Sequence, residues 1–278
     1  MKTIALWSPL TSGSGTTALA ASLPIVLAME FKVKTLLLHG GAAGERVEQA
    51  YSLKKQPLDH SLVTFQDHGM NAVERLAASG RLMPENIRDY TFPLLQDRLD
   101  LLAAGREPKL ESDDTHGRLM SQVLETAVRG YDVIVADAGN GRANSVDRQI
   151  LKAADLILIG LNQNIRSLEK FFESDQMQGV FQGKDIGFVI GRYDRHSHCT
   201  LQNVKRRFGV KGIFEGIPYC SEFTDAWNMR SVQACIQRGR GGMDRKRESP
   251  FYRALRSTAF AAAEQIGLPS SGYSERGA

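Results

Sequence analysis

The chain has 278 residues, 42% of them hydrophobic, with a net charge of +4. That is enough chain to bury one large α/β core, and the mildly basic balance fits contact with nucleic acid or anionic lipid without requiring it. Three cysteines, Cys199, Cys220 and Cys235, lack a C-x-x-C spacing, so neither zinc nor haem nor a disulfide framework is expected. No apolar run reaches the roughly 18 residues of a membrane span, and MKTIALW is cut off too soon by Pro9 to be a signal peptide, which predicts a cytoplasmic protein without a transmembrane segment.

Short, nearly continuous apolar runs predict strands over Thr3–Trp7, Thr35–Leu38, Leu99–Leu102, Val133–Ala136, Leu156–Gly160 and Gly187–Ile190. Between them, helical spacing predicts helices over Thr17–Phe31, Met70–Ala78, Gly117–Arg129, Val146–Ala153, Ile165–Asp175 and Leu201–Phe208, with a last one over Phe251–Gly267. Pro24 falls inside the first helix, two turns beyond its start. Residues 68–105 form an amphipathic insert whose Leu76, Leu82, Met83, Phe92, Leu94 and Leu95 need a covering surface, either the chain's own sheet or another subunit. Gly105–Gly117 and Gln237–Pro250 read as exposed loops. Such strand–helix alternation calls for an α/β fold with a doubly wound, mostly parallel sheet flanked by helices, here one domain over residues 1–268 with a polar tail over 269–278. Ligands of such sheets sit at the carboxyl ends of the strands, which puts residues 8–17, 39–44 and 137–142 on one rim.

Two motifs on that rim carry chemistry. The stretch SPLTSGSGTTALAASLP, residues 8–24, follows the first strand and opens a helix, as a phosphate-binding loop does. Gly13 and Gly15 permit close backbone approach to an anion, and Thr17 has the hydroxyl that binds Mg²⁺ in working loops. A Gly/Ser-rich turn that only caps a helix has the same composition. In YDVIVADAGNGRANS, residues 131–145, apolar residues deliver Asp137 to the rim ahead of Gly139 and Gly141, as in a Walker B strand with its switch. An aspartate capping a turn is the plainer reading of that motif alone.

The order of strand, G-x-G-T-T loop, TLLLHGG, helical insert, YDVIVADAGNG, ADLILIGLNQNIRSLEKFF, FVIGRYDRHS and GIPYCSEFTDA resembles the ParA/MinD family of P-loop ATPases along most of the chain. It looks closest to the divergent branch of the pilus-locus proteins TadZ and CpaE. The resemblance implies a P-loop NTPase fold, ATP and Mg²⁺ as cofactors, a homodimer, and work in placing cargo on DNA, membranes or cell poles. Carried over residue by residue, the family's signature lysine falls on Thr11, its P-loop lysine on Thr16, its second-strand aspartate on His39 and its adenine-contacting asparagine on Gly191. Gly13, Gly15, Thr17 and Asp137 are kept, with Pro218 near the base. The expected nucleotide-binding residues are therefore Gly13, Ser14, Gly15, Thr16, Thr17 and Pro218. Thr17 and Asp137 are the expected metal ligands, and Asp137 is the one catalytic candidate if hydrolysis occurs.

Phosphoryl transfer rests on electrostatic stabilisation, and one arginine finger is worth roughly 10³–10⁵ in rate, so the loss of both lysines predicts weak ATP and Mg²⁺ binding without efficient hydrolysis. Three readings stay open. The first is a degenerate pseudo-ATPase that localises or scaffolds a partner complex, of the Tad pilus or secretion type, at a pole or a membrane-associated assembly. The second is a slow ATPase whose missing charge comes from Arg142, from Arg166 at the next helix, or from a partner, with His39 as a base. The third is a partition factor that binds DNA non-specifically through the basic stretch 230–256, with Arg238, Arg240, Arg245, Lys246 and Arg247 as the contacts.

Overall fold

The computed structural model describes residues 2–40, 46–53, 68–104, 113–174, 181–241 and 247–269. Its strands are β1 (Lys2–Ser8), β2 (Thr35–His39), β3 (Phe92–Leu95), β4 (Leu99–Leu102), β5 (Val133–Asn140), β6 (Leu156–Leu161), β7 (Asp185–Tyr193) and β8 (Phe214–Pro218). They form one sheet in the order β3-β4-β2-β5-β1-β6-β7-β8, parallel throughout except for the antiparallel pair β3–β4 at one edge. β1 lies between β5 and β6, so the chain leaves the sheet after Ser8 at a point where the winding reverses, the place where such sheets bind ligands.

The continuous apolar strands face two cores. Ile4 and Leu6 of β1, with Val133 and Val135 of β5, point to one side of the sheet. Ala5 and Trp7, with Ile134, Ala136 and Ala138, point to the other. The first face is covered by α1 (Thr16–Glu30), α7 (Ser221–Asn228), α8 (Val232–Gly239) and α9 (Pro250–Gln265). α2 (Met70–Ala78), α3 (Asp113–Gly130), α4 (Ser145–Ala153), α5 (Ile165–Phe172) and α6 (Leu201–Phe208) cover the second. α1 is the innermost helix: every residue from Leu19 to Ala28 is buried, and Pro24 lies within it without ending it. Phe31, just past its end, packs on Phe260 of α9 at 4.8 Å between ring centroids.

Several elements depart from the sequence expectation. α3 begins at Asp113, within the stretch read as a loop; residues 105–112 of that stretch lie outside the described residues. Gly117 is accepted inside the helix because it meets α4, where a Cβ would come within 3.2 Å of Ser145 Cβ. The loop expected over Gln237–Pro250 is shorter at both ends, since α8 continues to Gly239 and Pro250 opens α9 behind the Ser249 cap. α5 ends at Phe172 instead of Asp175. β8, α7 and α8 were not expected at all. The insert covers its apolar residues on the chain's own core: Leu82 packs on one side, Phe92, Leu94 and Leu95 on the other, while Met83 stays exposed.

Candidate functional site

The loop after β1 is shaped by its small residues. Gly13 and Gly15 both take positive φ, 79° and 72°, where a side chain would be strained. Gly15 ends the loop as the residue before α1, and no side chain caps the first N–H groups of the helix. Ser8 is fully buried beneath the loop; its hydroxyl donates to Gly160 O at 2.8 Å and accepts from Leu10 N–H at 3.1 Å.

Thr16, at the position of the P-loop lysine, does not reach toward a ligand. Only 2% of it is exposed, and its hydroxyl shares a 2.8 Å hydrogen bond with that of Ser14. It fits under the loop because β6 carries Gly160 there, where an added Cβ would lie 2.0 Å from Thr16 Oγ1. Gly191 of β7 has the same role on the next strand: a Cβ would sit 2.0 Å from Ser14 O. The position of the family's adenine-contacting asparagine is thus closed to any side chain, since the loop backbone lies directly on β7. Thr11, at the signature-lysine position, is exposed and approaches Gly141, where a Cβ would come within 3.2 Å of its methyl group.

Beside the loop opens a cleft of about 500 Å³. Its polar end is Thr11–Thr17 with Asn140, and its apolar end is built by Val189, Ile217, Pro218, Phe223, Trp227, Phe251 and Leu255. Phe223 lies 4.9 Å from Phe251 and 6.3 Å from Trp227, centroid to centroid, so the wall is aromatic. Tyr219, 59% exposed, stands at the lip. The structure therefore brings Gly13, Ser14, Gly15, Thr16, Thr17 and Pro218 onto one surface.

It does not bring Asp137 there. That carboxylate is fully buried and absent from the cleft wall among the described residues. One of its oxygens accepts the Gly139 N–H at 3.1 Å, and the other lies 3.5 Å from His39 Nδ1. The pairing follows from the register of β2 and β5, which sets His39 beside Asp137. A Mg²⁺ ion held in P-loop fashion needs this carboxylate turned toward the phosphates, together with the Thr17 hydroxyl. As placed here, Thr17 lines the cleft and the Asp137 carboxylate does not.

Arg142 and Arg166 are exposed and line no part of the cleft. Among the described residues the cation that does line it is Arg192, which sequence reading passed over. It sits at a register break between β7 and β8 with φ 51°, an uncommon conformation for a residue with a side chain, and that turn sets it at the cleft mouth. The signal was present in FVIGRYDRHS, where an arginine follows the glycine at the strand end.

The basic stretch is partly spent on the fold. Arg240 pairs with Glu30 at 3.2 Å, and Arg256 pairs with the buried Glu248 at 3.2 Å. Arg238 and Arg247 are exposed, whereas Arg245 and Lys246 lie outside the described residues. Among the described residues no helix is long and apolar enough to cross a membrane, and no group of three or more His, Cys, Asp or Glu is placed to hold a metal.

Comparison with solved structures gives full-length matches. A ParA family ATPase from Chlorobium tepidum superposes with a TM-score of 0.69 at 14% identity, covering 93% of this chain and 97% of that one. The fold is that of the ParA and MinD ATPases. The septum site-determining protein MinD of Pyrococcus horikoshii, complexed with Mg-ADP, matches with a TM-score of 0.66 at 17% identity, over 96% of this chain and 98% of the other. The MinC:MinD cell division protein complex of Aquifex aeolicus matches with 0.65 at 16% identity, over 95% and 96%. By sequence the chain matches no family model and no curated protein.

Proposed function

We propose that this protein is a degenerate member of the ParA/MinD type that binds a nucleotide-like ligand in the cleft, hydrolyses ATP poorly or not at all, and acts by self-association and by placing a partner assembly. The observation that carries the reading is Thr16: the side chain at the lysine position is buried under the loop and bonded to Ser14, so that position supplies no cation to a transferring phosphoryl group. Ligand and partner binding are inferred from the shared fold, in which one neighbour holds Mg-ADP and another is a complex of MinC and MinD. A TadZ/CpaE-like place in a pilus or secretion assembly is supported by the order of the sequence motifs alone.

Neither rival gains an observation. Arg142 does not line the cleft, and two arginines of the basic stretch are occupied by Glu30 and Glu248. The test is phosphate release from Mg-ATP by the purified protein, with light scattering for self-association. Expected is turnover at least ~10³-fold below that of lysine-bearing P-loop ATPases; turnover within that range overturns the pseudo-ATPase reading.

A further inference from the structure

The charge inventory of the cleft is small. Among the described residues Arg192 is its single cationic side chain, and no carboxylate lines it. Both lysine positions are threonines, and the Asp137 carboxylate is buried beside His39 and does not line the cleft. A triphosphate brought into such a cleft would leave most of its charge without a partner, because neither lysine nor a carboxylate-held Mg²⁺ is there to balance it. A single phosphate, with about −1.5 to −2 charge near neutral pH, matches one guanidinium and the uncapped N–H groups at the start of α1. The remainder of the cleft takes a flat ring: Phe223, Trp227 and Phe251 form an aromatic wall at the end away from the loop, with Pro218 beside it. Asn140, at the polar end, has a buried Oδ1 without a hydrogen-bond partner, a place for a ligand O–H or N–H. Arg192 has no ion pair or hydrogen bond of its own among the described residues, so it is available to an anion.

We infer that the cleft binds a nucleoside monophosphate, with Arg192 on the phosphate and the ring against Trp227, and that it does so without a divalent cation. This rests on the reading of the cleft as a nucleotide site. Two features of this chain set the preference. Arg192 limits the charge the cleft can neutralise, and the Asp137 carboxylate, buried beside His39, does not line the cleft.

Trp227 provides the readout. The only other tryptophan, Trp7, is buried on the opposite face of the sheet, and the Trp227→Phe variant identifies the source of any signal. Quenching is titrated with adenosine, AMP, ADP and ATP, each with MgCl₂ and again with EDTA, and confirmed by calorimetry. The expected result is that AMP binds at least as tightly as ATP, that EDTA leaves AMP binding unchanged, and that Arg192→Gln weakens AMP roughly 10-fold or more while leaving adenosine alone. Arg192→Lys, which keeps the charge, should recover part of the loss, as a general disturbance of the β7 end would not. ATP binding that exceeds AMP binding and disappears in EDTA would overturn this inference and leave the nucleotide reading standing. Absence of heat and quenching with all four compounds would overturn both.

Discussion

Thr16 and Gly191 are both held in place by their surroundings. Reintroducing the lysine at Thr16 must break the buried bond to Ser14 and push a long side chain out from under the loop, against Gly160. Thr16→Lys is therefore expected to cost about 1–3 kcal/mol, read by thermal or denaturant unfolding, and to leave phosphate release at background. Recovery of turnover without loss of stability would show that the threonine is a simple substitution and not part of a rebuilt loop. Gly191→Asn is the stricter case, since its Cβ would meet the Ser14 carbonyl oxygen and backbone cannot swing aside as a side chain can; a loss of at least about 1–3 kcal/mol is expected. The glycines and Thr17 were legible in the sequence because a phosphate loop is a local pattern. The direction of the Asp137 side chain was not, because it depends on which residue of β2 comes alongside β5, almost 100 residues away in the chain.

Elements are held by their ends, and α4 shows this most directly. Asn144 accepts from the Asp147 N–H at 2.9 Å while the Asp147 carboxylate accepts from the Asn144 N–H at 3.0 Å, a reciprocal cap that fixes where the glycine-bearing segment after β5 turns into the helix. Asn144→Ala should cost about 1 kcal/mol and lower the unfolding midpoint by about 2–4 °C, measured by calorimetry. An unchanged midpoint would mean that the helix start is held by packing alone. The strands of the sheet centre were readable because burial on both faces makes them uniformly apolar. β8 was not: FEGIP has a glycine, a proline and a glutamate in five residues, and it is a strand only because β7 pairs with it. α7 and α8 were hidden for a related reason, since each is eight residues long and buries only two or three of them. α8 packs on α1 and α9, and α7 packs on α8 and, through Phe223, on Phe251 of α9, surfaces that no local window of sequence displays. Since α7 supplies Phe223 and Trp227, the aromatic half of the cleft was hidden with it.

At the scale of the whole sheet, both flanks hold a carboxylate inside the protein. On β4, Asp100 is buried; it accepts from the Tyr131 hydroxyl at 2.9 Å and lies 3.3 Å from Arg88 Nε. On β8, Glu215 is half-buried and accepts from the Ser257 hydroxyl at 3.2 Å. Burial pushes the pKa of both upward, and the hydrogen bonds and nearby cations offset only part of that. A carboxyl group with a higher pKa in the fold than in the unfolded chain holds its proton more tightly when folded. Its contribution therefore favours the fold at low pH and is lost as pH rises through the raised value. Asp100→Asn and Glu215→Gln keep an acceptor for Tyr131 and Ser257 while removing the ionisation. The unfolding midpoint of each variant, minus that of the parent, is accordingly expected to increase as pH rises from the acidic range toward neutrality, and the two increments should add because the residues sit at opposite flanks of the sheet. Taking the difference cancels the titration of all other carboxylates, which the variants share with the parent. A difference that shrinks with rising pH would mean that Arg88 and the hydrogen bonds outweigh burial, and that the flanks of the sheet are held by charge instead of in spite of it.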